Sequence, residues 1–549
     1  MPSAIFSDDS IGPVRIETTL PHQMWMAQHG PQRQHNQLIF VFSAVAMAGI
    51  SFLLFYFIMR NLALFAPGYR PIDRAASLIL LLSEIYVALQ GVGYYLNVIQ
   101  SARTPNVARQ TRLARLDEPT VAIYIATYNE PAEVIEETVN AVTLLDYPNK
   151  QIYLNCDHQS TAQAQMVAAI AARQGVNCLH RVPNTHYKAG GINAFIERLG
   201  QDLPAAAFCC IFDADSIPQP TFLREVVPYL LRDPRLAFVQ APQSYGNANV
   251  SQVAEAAAQQ QTTFAHYISE GKQQSQAMFF CGTNVVFRVA ALRDIGGLDT
   301  HSVTEDFATS IRLHRRGWRS QYCNAAYVTG LGPTTLRAYW IQQSRWALGN
   351  LESFFAAIPH IFVRPGFTLP QRWEYFLSGT YYFVGLNTYI TLISPTLFLI
   401  FTIRPLILSP IIYLVAYLPH VLLANWFFFA TMGRRGFRPR ALFLAQCLTF
   451  TTFPVYANAA VAAILHRKRA FAVTPKHVGD EVLSWRALAP HLGCAFLLLL
   501  AIGFGIVRFF SEHDLALVVN MLWCIYHLGL LSTVLLFNRP ERPHRRGPR

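Results

Sequence analysis

Two carboxylates one residue apart, Asp213-Ala214-Asp215, close the apolar run Phe208–Asp213 and are the first candidates for chemistry. A hard divalent cation takes oxygen ligands, and Mg2+ uses one or two carboxylates together with substrate phosphates. The same spacing suits a solvated turn or a helix cap, since Ser216 and Pro218 follow. A third acid, Asp306 in Val303-Thr304-Glu305-Asp306, opens a predicted helix to about Arg316. Taken alone, acids in a first turn favour the helix dipole, and Thr304 reads as the cap. Gln342-Gln343-Ser344-Arg345-Trp346 lies on an amphipathic segment ahead of an apolar run, where Trp346 alone reads as an interfacial anchor.

The elements that must carry these groups alternate between residues 104 and 335. Val121–Ala126 and the following Thr127 read as a buried strand by β-branched and aromatic content, and a helix is expected over 131–145. A second strand is expected over 152–157, a helix over 162–174, and a third strand over Phe208–Asp213. Strands alternating with helices imply a largely parallel sheet covered on both faces, whose ligands collect at the carboxyl ends of the strands. Those ends carry Thr127-Tyr128-Asn129-Glu130, Asp157 and Asp213-Ala214-Asp215. No G-x-G-x-x-G follows the first strand and no G-x-x-x-x-G-K-[ST] occurs, which excludes the usual dinucleotide and P-loop sites.

The rest of the chain belongs beside lipid. Only 14% of the 549 residues are charged and 52% are hydrophobic, which excludes a disordered, collagen-like or disulfide-scaffold chain. Apolar runs occupy 38–59, 75–99 (with Glu84 and Gln90), 375–401, 405–431, 441–465, 487–507 and 515–537. Arg434–Arg440 precedes the 441–465 run and His466-Arg467-Lys468-Arg469 follows it, so a crossing would leave one basic cluster outside. That run is therefore expected along the cytoplasmic interface, bent at Pro454, leaving six spans with both ends inside. The net charge of +12 is read as cytoplasmic anchoring by clusters such as Arg434, Arg435, Arg438 and Arg440, not as nucleic-acid binding. Arg60, Arg70 and Arg74 outside run against this orientation. Six of the nine cysteines (Cys156, Cys178, Cys209, Cys210, Cys281, Cys323) fall in the least hydrophobic third and are expected as reduced thiols, with neither a zinc site nor a disulfide framework.

Taken in order, these pieces resemble the processive family 2 glycosyltransferases, bacterial cellulose synthase catalytic subunits above all. The matching segments are Ala126-Thr127-Tyr128-Asn129-Glu130-Pro131, Asp157, Lys188-Ala189-Gly190, Asp213-Ala214-Asp215, Phe280-Cys281-Gly282-Thr283, Thr304-Glu305-Asp306 and Gln342-Gln343-Ser344-Arg345-Trp346. Phe471-Ala472-Val473-Thr474-Pro475-Lys476 looks like the family's gating loop. The resemblance covers about residues 75 to 537. It implies an α/β GT-A nucleotide-sugar-binding domain inserted into an α-helical transmembrane bundle that extrudes the polymer across a bacterial inner membrane. The expected organisation is a flexible cytoplasmic arm over 1–37, two spans in 38–103 and the catalytic domain over 104–335. Interfacial helices follow over 336–374, two spans in 375–431, the interfacial helix and gating loop in 432–486, two spans in 487–537 and a basic tail over 538–549.

Carried across by position, Thr127, Tyr128, Glu130 and Asp157 would hold uridine, and Lys188, Asp213 and Asp215 would serve the diphosphate and Mg2+ or Mn2+. Asp306 would be the general base, with Thr304 and Glu305 beside it. Gln342 and Arg345 would bind pyrophosphate, Trp346 would stack on the acceptor sugar, and Cys281 would border the acceptor terminus. Phe471, Val473, Thr474 and Lys476 would close over the donor, UDP-glucose. Two departures bear on this: Asp157-His158 stands where cellulose synthases commonly have paired Asp, and His477 stands where Gly is usual. With only twelve residues after 537, no cyclic-di-GMP-binding PilZ domain is expected within the chain. The rival readings are a β-1,3-glucan, mixed-linkage glucan or mannan synthase, a non-processive transferase on a lipid acceptor, and a membrane protein that binds nucleotide sugar without transfer. Partners expected beyond donor, polymer and lipid are a periplasmic export protein and no nucleic acid.

Overall fold

The computed structural model describes residues 32–103, 118–156, 161–180, 185–302, 304–467 and 482–539. Its α/β domain is built on a sheet whose strands we number β1 (Val121–Ala126), β2 (Lys150–Asn155), β3 (Asn177–Leu179), β4 (Phe208–Asp213), β5 (Leu236–Gln240), β6 (Val285–Arg288) and β7 (Arg319–Tyr322). They lie in the order β3-β2-β1-β4-β6-β5-β7. β3, β2, β1 and β4 are mutually parallel, β6 is antiparallel to both neighbours, and β7 is parallel to β5. The sheet is thus mixed, with one reversed strand that period and composition did not reveal. Both faces are covered, as continuous apolar strands such as Val121–Ala126 and Phe208–Asp213 require. One face packs Ile123, Ile125, Phe208 and Phe212 against Ile135, Val139 and Phe222, and the other packs Tyr124, Cys209 and Ile211 against Ile192 and Phe195. Three short strands, Ile217–Pro218, Val328–Gly330 and Gln243–Tyr245, form a second sheet beside the carboxyl edge of the first.

Helices long and apolar enough to cross a membrane flank this domain: Ile39–Leu64, Pro71–Ala102, Leu369–Phe401, Pro410–Arg434, Ala489–Glu512 and Leu515–Phe537. The third contains a 3-10 turn at Tyr381–Phe383, between Leu369–Thr380 and Val384–Phe401. The 441–465 run is a pair, Pro439–Thr451 and Phe453–Ile464, bent by 43°. The break falls at Thr452, and Pro454 stands in the first turn of the second helix, where its missing N–H leaves no bond unmade. The first helix begins at Gln32, inside the stretch expected as a flexible arm.

Two expectations about charge and sulfur are corrected. Arg60 is fully buried: it donates to Ser77 O at 3.0 Å and Pro405 O at 2.8 Å and lies 3.4 Å from Glu84 Oε2, while Glu84 Oε1 accepts the Tyr56 hydroxyl at 2.7 Å. Arg70 pairs with Asp73 at 3.0 Å. Arg60, paired inside the bundle, is not a loop charge of the kind that sets orientation, whereas Arg70 stays exposed in the loop ahead of the second helix. Arg435 likewise anchors protein more than lipid, pairing with Glu270 at 2.8 Å and covering the Tyr267 ring. Cys156 and Cys178 are joined by a disulfide. Parallel pairing of β2 with β3 sets Cys178 beside Leu154 and bonds the Cys156 N–H to Leu179 O at 2.7 Å, a proximity hidden by 22 residues of sequence separation. The other seven cysteines are free.

Candidate functional site

The expected carboxyl edge is where the polar groups meet. The Thr127 hydroxyl donates to Asn155 O at 2.5 Å, tying the ends of β1 and β2, and the Glu130 carboxylate accepts the Tyr128 N–H at 2.7 Å. At the end of β4, the Asp213 N–H donates to Thr283 Oγ1 at 2.9 Å. Asp213 Oδ1 holds Lys188 Nζ at 2.5 Å, and that ammonium also reaches Gly282 O at 2.7 Å. Asp215 is buried, and its Oδ2 accepts the Leu331 N–H at 3.1 Å.

Asp306 stands opposite. Its helix, Glu305–Arg315, starts after Thr304, whose hydroxyl makes no cap bond and instead faces Ser353. Asp306 Oδ1 accepts the Phe307 N–H at 2.8 Å. Gly282 has φ +86°, and a Cβ on it would stand 3.3 Å from Asp306 Oδ2, so the Cys281–Thr283 turn passes directly beneath the carboxylate. The Phe280 N–H donates to Ser310 Oγ at 2.8 Å, and the Cys281 N–H to Gln240 Oε1 at 3.0 Å, fixing that turn to helix and sheet. Burial, then the neighbouring Glu305 charge, pushes the Asp306 carboxyl up to about 7; burial also raises Glu305. Burial and the Asp306 charge push the Cys281 thiol well up, so it is no nucleophile.

The Leu336–Ile358 helix supplies the third wall. Gln342 hydrogen-bonds the Tyr245 hydroxyl, whose burial pushes it up to about 12. Arg345 and Trp346 line the same space as Lys188, Asp213, Asp215, Thr304, Glu305 and Asp306. That space is one cavity of about 1740 Å3. It continues past Trp346 into the helices, where its lining turns to neutral groups. The Tyr339 hydroxyl donates to Gln260 Oε1 (2.7 Å), Gln260 Nε2 to Thr449 Oγ1 (2.8 Å), and the Tyr456 hydroxyl to Gln343 Oε1 (2.8 Å). Lys272 is the cation in this part, buried and held by Glu374 at 2.8 Å and Ser378 at 2.8 Å.

Among the described residues no three His, Cys, Asp or Glu side chains gather as a metal cage. Asp213 and Asp215, two carboxylates on one open cavity wall, fit a cation that completes its shell with phosphate and water, and do not fit a closed protein-only site. Asp157, Phe471, Val473, Thr474 and Lys476 lie outside the described residues. Gln260, Tyr339, Thr449 and Tyr456 were not singled out in the sequence, and only the basic clusters flanking the 441–465 run hinted that it does not simply cross lipid.

The strand ends with their acids and lysine thus share one cavity with the helices that follow. Residues 119–349 match the family model described as Glycosyltransferase like family 2, and residues 293–425 that described as Cellulose synthase. The two matched stretches overlap and together run from residue 119 to residue 425. It is 27% identical over 496 residues to cellulose synthase 2 of Novacetimonas hansenii, covering 88% of this chain and 30% of that one. It is 26% identical over 441 residues to the UDP-forming cellulose synthase catalytic subunit of Pseudomonas fluorescens (strain SBW25), covering 78% of this chain and 58% of that one. The chain thus spans less than two thirds of these relatives. A solved mannosyltransferase from Pyrobaculum calidifontis, in complex with GDP-Man and Mn2+, aligns over 70% of this chain and all of that one, with TM-score 0.44 and 17% identity.

Proposed function

We propose that the chain is a processive, inverting glycosyltransferase that builds a cellulose-like β-glucan from UDP-glucose and passes it through its own helices. The observation that carries this is the cavity whose wall holds both the charged strand ends and the neutral groups of the helices, with Asp306 and Trp346 among its lining. A protein that only bound nucleotide sugar would need neither.

Thr127, Tyr128, Glu130 and Asp157 hold the uridine, and Lys188 releases Asp213 to meet the diphosphate. Asp213 and Asp215 would hold Mg2+ or Mn2+, which when bound neutralises charge developing on the leaving diphosphate. Arg345 and Gln342 take the same charge from the other side through charge-assisted and neutral hydrogen bonds. Trp346 stacks on the acceptor sugar, and Asp306 accepts the proton of its attacking hydroxyl. One base and one displacement invert the anomeric centre, so an α-linked donor yields a β-linked product. Cys281 and the turn beneath Asp306 border the acceptor terminus. Phe471, Val473, Thr474 and Lys476 close over the donor and exclude water. The six spans sit in a bacterial inner membrane with the catalytic domain on the cytoplasmic side.

The test is incorporation of radiolabel from UDP-glucose into insoluble product by the purified protein in lipid with Mg2+ or Mn2+. Product removed by a β-1,4-glucanase supports the reading. Digestion only by a β-1,3-glucanase, or incorporation only from GDP-mannose, replaces the product and keeps the mechanism. No transfer from any nucleotide sugar overturns it.

A further inference from the structure

The turn that delivers Asp306 is gripped from two sides. Gly282 and Ser310 belong to the first, described above. The second is the Leu336–Ile358 helix, and its grip falls one turn beyond Arg345 and Trp346. The backbone at Gly349 approaches so closely that a Cβ there would lie 2.6 Å from Thr304 Cγ2, 2.9 Å from Thr304 Oγ1 and 3.0 Å from Thr304 N. Only a residue without a side chain allows that contact. Ser353, four positions on and hence on the same helix face, is buried. Its Oγ lies 2.6 Å from Ser302 Oγ and 3.3 Å from Thr304 Oγ1, while the Thr304 N–H donates to Ser302 Oγ at 3.0 Å. A small network of hydroxyls therefore closes the turn onto the helix. Gly349 and Ser353 do not line the cavity, so neither touches substrate.

We propose that Gly349 and Ser353 are positioning residues that lock the turn carrying Asp306 to the helix carrying Arg345 and Trp346, and so set the spacing between the base and the acceptor platform. This rests on the reading of Asp306 as base. The chemistry explains why such a lock matters: the base must stand within hydrogen-bond reach of a hydroxyl whose sugar is placed by Trp346. Base and platform come from separate segments of the chain. Nothing in either segment alone fixes their separation; Phe307 and Ile311 pack in one apolar cluster with Phe354 and Ala357, and the glycine contact and the Ser353 hydroxyl set the approach at the turn itself. A displacement of about 1 Å at such a junction can lower turnover by about a hundredfold.

The experiment uses the full chain in lipid nanodiscs, with Gly349→Ala and Ser353→Ala. Alanine is a better helix former than glycine, so any loss in Gly349→Ala comes from the contact and not from a weaker helix. The expected result is a kcat for Gly349→Ala lower by about tenfold or more, with donor KM and UDP affinity within about twofold of the parent. Ser353→Ala falls less, again in kcat. Adding Thr304→Ser to Gly349→Ala removes the methyl nearest the new Cβ and regains part of kcat. An unchanged kcat, or kcat and UDP affinity falling together with Tm, overturns the proposal. A readout free of activity is the double substitution Ser302→Cys/Ser353→Cys, expected to cross-link on mild oxidation and to do so more slowly when Gly349→Ala is added. Absence of that cross-link refutes the contact. A double-cysteine variant that forms it while the parent protein transfers no sugar refutes the assignment of Asp306 and the positioning role with it.

Discussion

The two ends of one cavity are built from different chemistry. At the strand ends, Asp213, Asp215, Glu305, Asp306, Lys188 and Arg345 crowd together. In the bundle the walls are Gln260, Gln343, Tyr339, Tyr456 and Thr449, linked by neutral hydrogen bonds of 2.7–2.8 Å. Lys272 is cancelled there by Glu374. Under the proposed function, the difference follows from what each end must handle. A nucleoside diphosphate brings charge that needs opposite charge within reach, whereas an uncharged polymer needs hydroxyl partners that it can exchange without a large desolvation penalty. Charge ends where chemistry ends.

The sharpest way to break this contrast is at the charged end. Asp306→Asn keeps shape and removes the base, so polymer formation falls by about 10²–10⁴-fold, measured as labelled product per minute, with UDP affinity retained. Asp213→Asn should abolish the response of turnover to added Mg2+ or Mn2+, read from metal titrations. At the neutral end the large effect is on stability. Lys272→Met leaves the Glu374 carboxylate buried without its partner and destabilises the protein by about 3–5 kcal/mol, seen in thermal unfolding. The double substitution Lys272→Met/Glu374→Gln recovers most of it.

Acidity refines the comparison. A base works as its carboxylate, and burial with Glu305 raises Asp306 to about 7. Transfer should therefore fall as pH drops through about 7, well above the ordinary carboxylate value of about 4. Glu305→Gln removes the repelling neighbour and moves that acid limb to lower pH in a kcat/KM profile. The smallest effect belongs to Tyr456→Phe, which deletes one neutral hydrogen bond to Gln343 worth about 1 kcal/mol. It should shorten the product several-fold at most, with donor KM unchanged.

Much of the charged end was legible in the sequence because acids that follow a buried strand, or open a helix, announce themselves by position. Asp213, Asp215, Lys188, Asp306 and Trp346 all line one cavity. The neutral end was hardly legible. Gln260 and Tyr339 are common residues on helices, and nothing in their spacing tells a wall of a cavity from a packed face. Pairings across the fold were hidden for the same reason: Arg60 with Glu84, Cys156 with Cys178, and Gly349 with Thr304 are neighbours only after folding. The broken helix at Thr452 was half visible, since basic clusters at both ends and Pro454 argued against a straight span.

The claim that one cavity serves both transfer and export is tested most directly in sealed proteoliposomes given UDP-glucose and divalent metal from outside. Only molecules with the catalytic domain outward can react. The account predicts that the labelled polymer accumulates inside, resisting added glucanase until detergent opens the vesicles. Polymer digested in full before detergent would mean that the bundle is not its path.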